Sequence, residues 1–404
     1  MTVSRRSVLT GAGAMIATPF VLRGDARAAN VPGVTATEIK IGTTAPYSGP
    51  LSGLAVYGEA QSAFFRMIND NGGINGRRIN FISLDNAFSP PKAVEQTRKL
   101  VEDDGVFAIA GFLGTPTNAA VQKYLNDKKV PSLFLTSGAE RFNDPKTYPW
   151  IVPLYPSYVA QGAIYGQHLR AKKPDAKIAV MYENDDLGKD YLRGLKNGLG
   201  DRATGMILKE MPHELTDASI ETLVVNARGA GADTFVMFTN SKYAAQGIRK
   251  IGSMGWKPLM IIASNAASIG ATLVPAGLEY CKGIVSARWE KAATDPSFAD
   301  DAGVKEFRAF AAKYMPRYNI EDQTAVPGYV CAYAIADVLR RCGDDLTRDN
   351  LLKQATSLKD FAVPMLLNAI RLTNSLSDYS AFHAMELVEF NGERFVGQGD
   401  VIRV

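Results

Sequence analysis

A doubly wound α/β architecture is the fold class that this sequence predicts. Three observations carry it. Short apolar runs rich in β-branched residues alternate with amphipathic helical runs from Ile39 to Ile262. The alternation falls into two blocks of similar size. In the first block two strands run into small hydroxyl-bearing turns, Gly111 to Asn118 and Thr136 to Ala139. Parallel sheets bind ligands at the carboxyl ends of their strands, where the strand order reverses. Both turns lie at that edge.

The elements follow in order. Ile39 to Ala45 alternates and reads as a strand, and Pro46 to Leu51 as a turn. Ala60, Ala63, Phe64, Met67 and Ile68 recur at helical spacing over Tyr57 to Asp70, and Gly72-Gly73 closes that helix. Ile79 to Leu84 is a strand. Ser89-Pro90 opens a helix to Glu102, as an N-cap followed by proline at the first helical position. Val106 to Ala110 is a buried strand, Gly111 to Asn118 a turn, Ala119 to Lys129 a helix and Ser132 to Leu135 a strand. The second block has helices at 157–172, 186–199, 220–229 and 244–254, with strands at 177–182, 206–210, 233–238 and 259–262. A strand at 283–287 follows, then helices at 304–314, 329–341 and 347–356. A closing hairpin runs from Ala384 to Val396 over Asn391-Gly392.

The N-terminus is read apart from the fold. Arg5-Arg6 precedes a mildly apolar run, Val8 to Leu22, and Ala26-Arg27-Ala28 is a small-x-small cleavage site. The run is too short to span a bilayer. Residues 1–28 are therefore expected to be a twin-arginine export signal, and the protein periplasmic. The chain carries a formal charge of +4. The signal's four arginines and one acid account for +3, leaving the rest near +1. That near-neutrality gives no reason to expect nucleic acid or an acidic membrane as partner. Cys331 and Cys342 share a helix at a separation of roughly 16 Å, too far for a bridge. Cys281 is isolated in sequence, so no structural disulfide is expected. The three histidines, His168, His213 and His383, are scattered, and no cofactor or metal is expected.

Ordered in this way, the chain resembles the periplasmic solute-binding proteins of the branched-chain amino-acid (leucine/isoleucine/valine) ABC transporter family. The residues that carry the resemblance are Ile39 to Gly42 with Ser48-Gly49-Pro50, Tyr57-Gly58 and Asn69 to Gly76. Asp85 before the Ser89-Pro90 helix, Gly111 to Asn118, Asn184 to Gly188 and Tyr329 extend it. It covers nearly all of the chain beyond the signal, and Gly72 to Gly76 is its most specific piece. It implies a type I periplasmic-binding-protein fold, two doubly wound lobes joined by three crossing segments. Residues 36–155 and 285–378 would form lobe one, and 156–284 and 379–404 lobe two. A small carboxylate ligand would sit in the cleft, and a membrane ABC permease would read the closed form of a monomer.

The resemblance also implies a site. The ligand carboxylate would be held by Thr115, Ser137 and Ala139, within turns that include Thr117, Thr136 and Gly138. Tyr57 and Tyr329 belong to the same set. Family acids that hold the ligand's ammonium correspond to Tyr158 and Asn265, and two aromatic positions to Leu187 and Asn240. A phenol and an amide do not replace two carboxylates, because a desolvated ammonium needs a charged or strongly accepting partner. The expectation is an aromatic-acid-binding branch, with a hydroxybenzoate or hydroxycinnamate whose ring stacks on Tyr158. The alternatives are an amino acid whose ammonium meets Glu183, Asp185 or Asp186, a hinge-packing role for Tyr158, and a ligand sensor for a receptor. No Gly-x-Ser-x-Gly, His-Glu-x-x-His or Walker loop is present in the chain beyond the signal, so an enzyme is not expected.

Overall fold

In a computed structural model the described residues are 31–403, so the export signal expected at residues 1–28 lies outside them. Five strands build a first sheet: β1 (Glu38–Ala45), β2 (Arg78–Asp85), β3 (Ala108–Ala110), β4 (Ser132–Leu135) and β5 (Ile151–Pro153). Their spatial order is β2-β1-β3-β4-β5, all parallel. Helices α1 (Ala55–Asp70), α2 (Pro90–Arg98) and α3 (Thr115–Asp127) connect them. After β1 the chain adds β2 on one side and β3 on the other, so the strand order reverses between β1 and β3.

The chain then crosses to a second sheet. Helix α4 (Tyr158–Lys172) leads to β6 (Ile178–Glu183), α5 (Asp186–Leu199), α6 (Ala203–Met206) and β7 (Ile207–His213). Next come α7 (Glu221–Gly229), β8 (Thr234–Phe238), α8 (Ser241–Ser253), β9 (Leu259–Ile262), α9 (Val274–Ala276) and β10 (Val285–Arg288). The order is β10-β9-β8-β6-β7, again parallel, with the reversal between β6 and β8. After β10 the chain returns to the first sheet with α10 (Ala302–Tyr314), α11 (Ala325–Cys342) and α12 (Arg348–Ala355). Phe64 of α1 meets Phe310 of α10 and Tyr329 of α11 edge-on or tilted, at 6.2 and 5.2 Å between ring centroids. A third crossing brings in β11 (Ala384–Phe390), antiparallel to β10, with β12 (Phe395–Gly397) and β13 (Ile402–Arg403) paired to it.

This is the expected type I α/β fold. One boundary moved in a way that bears on the site. The helix expected from Ala119 begins at Thr115 instead. Pro116 supplies a φ suited to a first helical turn, and Gly114, at φ +106°, makes the reversal just before it. The polar Thr-Pro-Thr-Asn reads as a turn in sequence and is the helix start in space.

The three crossings meet as aromatic rings. Tyr155 of the first stands edge-on to Trp289 of the second, at 5.6 Å, and Trp289 meets Phe382 of the third at 5.0 Å. Cys281, Cys331 and Cys342 are buried free thiols.

Parallel helices α4 and α5 pack unusually closely. A Cβ on Gly162 would lie 2.2 Å from the Tyr191 carbonyl oxygen, and one on Gly194 2.1 Å from that of Val159. Gly166 and Gly198 repeat the contact one turn on, against Leu195 and Ala163. Two Gly-x-x-x-Gly stripes thus set backbone against backbone and fix the two helix N-termini, at Tyr158 and Asp186, side by side.

Candidate functional site

A cavity of about 110 Å³ lies between the carboxyl edges of the two sheets, at both reversal points. Sheet one supplies Tyr57, Phe88, Leu113, Gly114, Thr115 and Thr136; sheet two supplies Glu183, Asp185, Leu187, Ser264 and Asn265. Tyr155 and Tyr158 enter from the first crossing and Glu290 from the second, with Gln323 and Thr324 before α11.

One end is built to accept an anion. The first turn of α3, with Thr115 and Pro116, faces the cavity. Its N–H groups have no partner inside the helix and carry the positive end of its dipole. The Thr115 hydroxyl pairs with that of Ser137 at 2.8 Å, and the Ala139 N–H donates to Ser137 Oγ at 3.3 Å. The Tyr57 phenol bonds Thr136 Oγ1 at 2.5 Å and also accepts from the Gln61 amide. Among the described residues no lysine, arginine or histidine lines the cavity.

The other end is acidic, unlike the acid-free far end that Tyr158 and Asn265 led one to expect. Glu183 closes β6 at the reversal point. Its Oε1 accepts from the Thr239 hydroxyl at 3.1 Å and from both the backbone and side-chain N–H of Asn240, each at 2.8 Å. Thr239 Oγ1 also contacts His213 Nε2 at 2.9 Å. Asp185 caps α5, Oδ1 accepting from the Gly188 N–H at 3.2 Å, while its buried Oδ2 has no partner among the described residues. Asn265 donates through Nδ2 to the Thr239 carbonyl at 3.1 Å, which leaves its Oδ1 as a second orphan acceptor. Glu290 has no side-chain partner among the described residues, and its Oε2 is buried. Burial raises the pKa of all three acids; the nearby Asp185 adds to it for Glu183, and the nearby Asp186 for Asp185. For Glu290, raised to about 8, burial acts alone.

That shift has a measurable sign. An acid whose pKa is raised in the fold holds a proton that the unfolded chain releases, so it destabilises increasingly between the two pKa values. Glu290→Gln should therefore match the wild type in melting temperature near pH 4.5. It should gain on it steadily to pH 8, in stripped protein followed by calorimetry. A difference that does not change with pH would show that Glu290 titrates normally.

Of the expected residues, Tyr57, Thr115, Thr136, Tyr158, Leu187 and Asn265 line the cavity. Ser137, Gly138 and Ala139 lie behind Thr115 around a smaller space. Thr117 turns its hydroxyl back to the Leu113 and Gly114 carbonyls, as a helix-start bond. Asn240 orients Glu183 without facing the cavity, and Tyr329 is core, its phenol donating to Glu306 at 2.9 Å. The Tyr158 ring stacks on Tyr191, centroids 4.8 Å apart, which leaves it one face. Glu290, Tyr155 and Phe88 were not expected at the site. Phe88 is carried there at φ +55° by a turn in which Asn86 Oδ1 accepts its N–H at 2.8 Å. Asp85-Asn86, a pair that tolerates such turns, was the available signal.

Elements of the two sheets also touch around the cavity. Arg141 pairs with Asp186 at 2.7 Å, Asp190 accepts the Glu140 N–H at 2.8 Å, and the Gly270 N–H donates to the Glu321 carbonyl at 3.3 Å.

A family profile described as periplasmic binding protein matches residues 38–394. The chain belongs to the periplasmic binding protein family. Two Pseudomonas aeruginosa relatives are similar. A leucine-, isoleucine-, valine-, threonine- and alanine-binding protein is 26% identical over 231 residues, 56% of each chain. An amino acid binding protein is 25% identical over 67% of this chain and 72% of its own. The chain thus spans little more than half the length of the first of these relatives. Among solved structures, a Thermus thermophilus branched chain amino acid ABC transporter protein with bound valine superposes with a TM-score of 0.82. It is 16% identical and covers 92% of this chain and 98% of its own. A fatty acid ABC transporter substrate-binding protein from Thermomonospora curvata reaches 0.78 at 22% identity, over 92% and 94%. At these identities the likeness is one of fold. No helix among the described residues is long and apolar enough to cross a membrane.

Proposed function

We propose that this protein is the periplasmic solute-binding component of an ABC importer, not an enzyme, and that its ligand is a small α-amino acid. The observation that carries the ligand class is the pair of orphan acceptors, Asp185 Oδ2 and Asn265 Oδ1, in one cavity with the N-terminus of α3. A buried acceptor without a donor costs about 1–3 kcal/mol, more if charged. An α-ammonium supplies those donors. An α-carboxylate takes the Thr115 end, at the N-terminus of α3. Residues 36–155 and 285–378 act as one jaw and 156–284 with 379–404 as the other. The Arg141–Asp186 and Glu140–Asp190 contacts belong to the closed state, which ligand stabilises by touching both jaws. A membrane permease reads that state.

An aromatic carboxylate is the second reading, favoured by the rings of Tyr57, Phe88, Tyr155 and Tyr158 around the cavity. It leaves the orphan acceptors unmet, which is why it ranks second. A thermal-shift screen of stripped protein separates the two. A true ligand at a hundred times its dissociation constant adds about 2.7 kcal/mol. The expected result is a shift with one or more α-amino acids and none with 4-hydroxybenzoate or 4-coumarate. Shifts confined to the aromatic acids would reverse the ranking.

A further inference from the structure

The amino-acid reading leaves one acid unused. Glu290 lies on the second crossing, just past β10, and reaches the cavity beside Tyr155. Among the described residues no donor meets its carboxyl group, and one oxygen is buried outright. Its nearest cationic neighbour in sequence, Lys291, is turned away onto Asp301 at 2.7 Å and the Pro364 carbonyl. The cavity therefore holds a second unmet acceptor site, with no basic side chain lining it.

The strand order separates this site from the first. Asp185 follows β6 and Glu290 follows β10, with β8 and β9 between them. Three inter-strand spacings amount to roughly 14 Å along the sheet edge. The two acids therefore enter the cavity from strands three positions apart, one beside α5 and one beside the second crossing.

We propose that Glu290 is a specificity-determining residue that binds a second, cationic nitrogen at the far end of the ligand, so that the preferred ligand class is a diamino acid. This rests on the amino-acid reading of the same cavity. An ammonium there supplies the missing donors and gives the desolvated carboxylate an opposite charge, the condition under which a buried acid stays ionised. A purely aliphatic side chain would press methyl groups against an unpaired carboxyl group, which the site penalises.

The test uses the whole exported protein, stripped of ligand, and isothermal titration with L-ornithine, L-norleucine and L-glutamine. Ornithine and norleucine differ by one terminal ammonium in place of a methyl. The expected result is at least tenfold tighter binding of ornithine than of norleucine. In Glu290→Gln that preference falls to within about twofold, because ornithine loses its partner. Norleucine binding as tightly as ornithine, or glutamine binding more tightly than ornithine, would overturn the Glu290 assignment and leave the amino-acid reading standing. No binding by any of the three, together with a shift from an aromatic acid, would remove both. The wild-type ratio needs no variant, so a poorly folding Glu290→Gln protein does not shelter the proposal.

Discussion

Asp185→Asn should weaken binding of whichever α-amino acid the thermal screen selects by about 30-fold to several thousand-fold. The range is the 2–5 kcal/mol lost when one partner of a buried, hydrogen-bonded charge pair is removed. The substitution isolates the charge. Asn caps helices about as well as Asp, so the bond from the Gly188 N–H to the side chain survives and α5 stays in place. The side-chain volume is unchanged. What changes is the orphan oxygen, Oδ2, whose place is taken by an amide nitrogen pointing at a like donor. A ligand without an ammonium responds differently. The affinity of 4-hydroxybenzoate, if measurable, should hold or improve, because a buried anionic group near its path is gone. Titration calorimetry of both ligands on the same variant gives the comparison. An amino acid that binds Asp185→Asn as tightly as wild type would remove Asp185 from the ammonium site.

Asp185 also shows what the sequence made legible and what it hid. The strand-to-helix turn at Asn184 to Gly188 was visible as a turn at a ligand-bearing edge, and its acids were weighed as ammonium partners. Position-by-position correspondence with the family pointed to Tyr158 and to Asn265, whose Oδ1 is the other orphan acceptor, but not to Asp185, because it follows chain position and not which oxygens are left unpaired. The unpaired state of Asp185 Oδ2 depends on the helix it caps and the cavity it faces. The fold itself was far more legible. Alternating strands and helices, the glycine-rich end of α1 and the Asn391-Gly392 hairpin were local signals, and local signals survive in sequence. Glu290 had none. It follows an ordinary strand, and only the meeting of three crossings around Tyr155, Trp289 and Phe382 brings it to the cavity. Thr117 is the opposite case: its residue type and turn were right for anion binding, but starting α3 at Thr115 turned its hydroxyl inward to the Leu113 carbonyl.

The glycine stripes, Gly162 with Gly166 and Gly194 with Gly198, carry the second large effect. Gly194→Ala should cost at least about 3 kcal/mol and lower the melting temperature by about 6–12 °C, at roughly 2–4 °C per kcal/mol. Two effects oppose each other. Alanine is the better helix former by about 1 kcal/mol, which alone would stabilise α5. Against it, the new methyl would stand 2.1 Å from the Val159 carbonyl oxygen and 2.8 Å from its carbon, both backbone atoms that no rotamer can move aside. The helices must separate, and the contacts at Gly162 and Gly198 open with them. Gly205→Ala is the matched control, since a Cβ there meets nothing within 4 Å and only the propensity gain remains. Thermal melts of the two variants side by side decide it; equal melting temperatures would mean that the two helices are not held at backbone contact. The separation also reaches the cavity. Tyr158 is the first residue of α4 and Asp185 caps α5, so moving α5 off α4 shifts the ring and the acid relative to each other. Ligand affinity in Gly194→Ala should therefore fall even at temperatures where the variant is fully folded, because misplacing a binding group by about 1 Å is enough to cost a large part of its contribution.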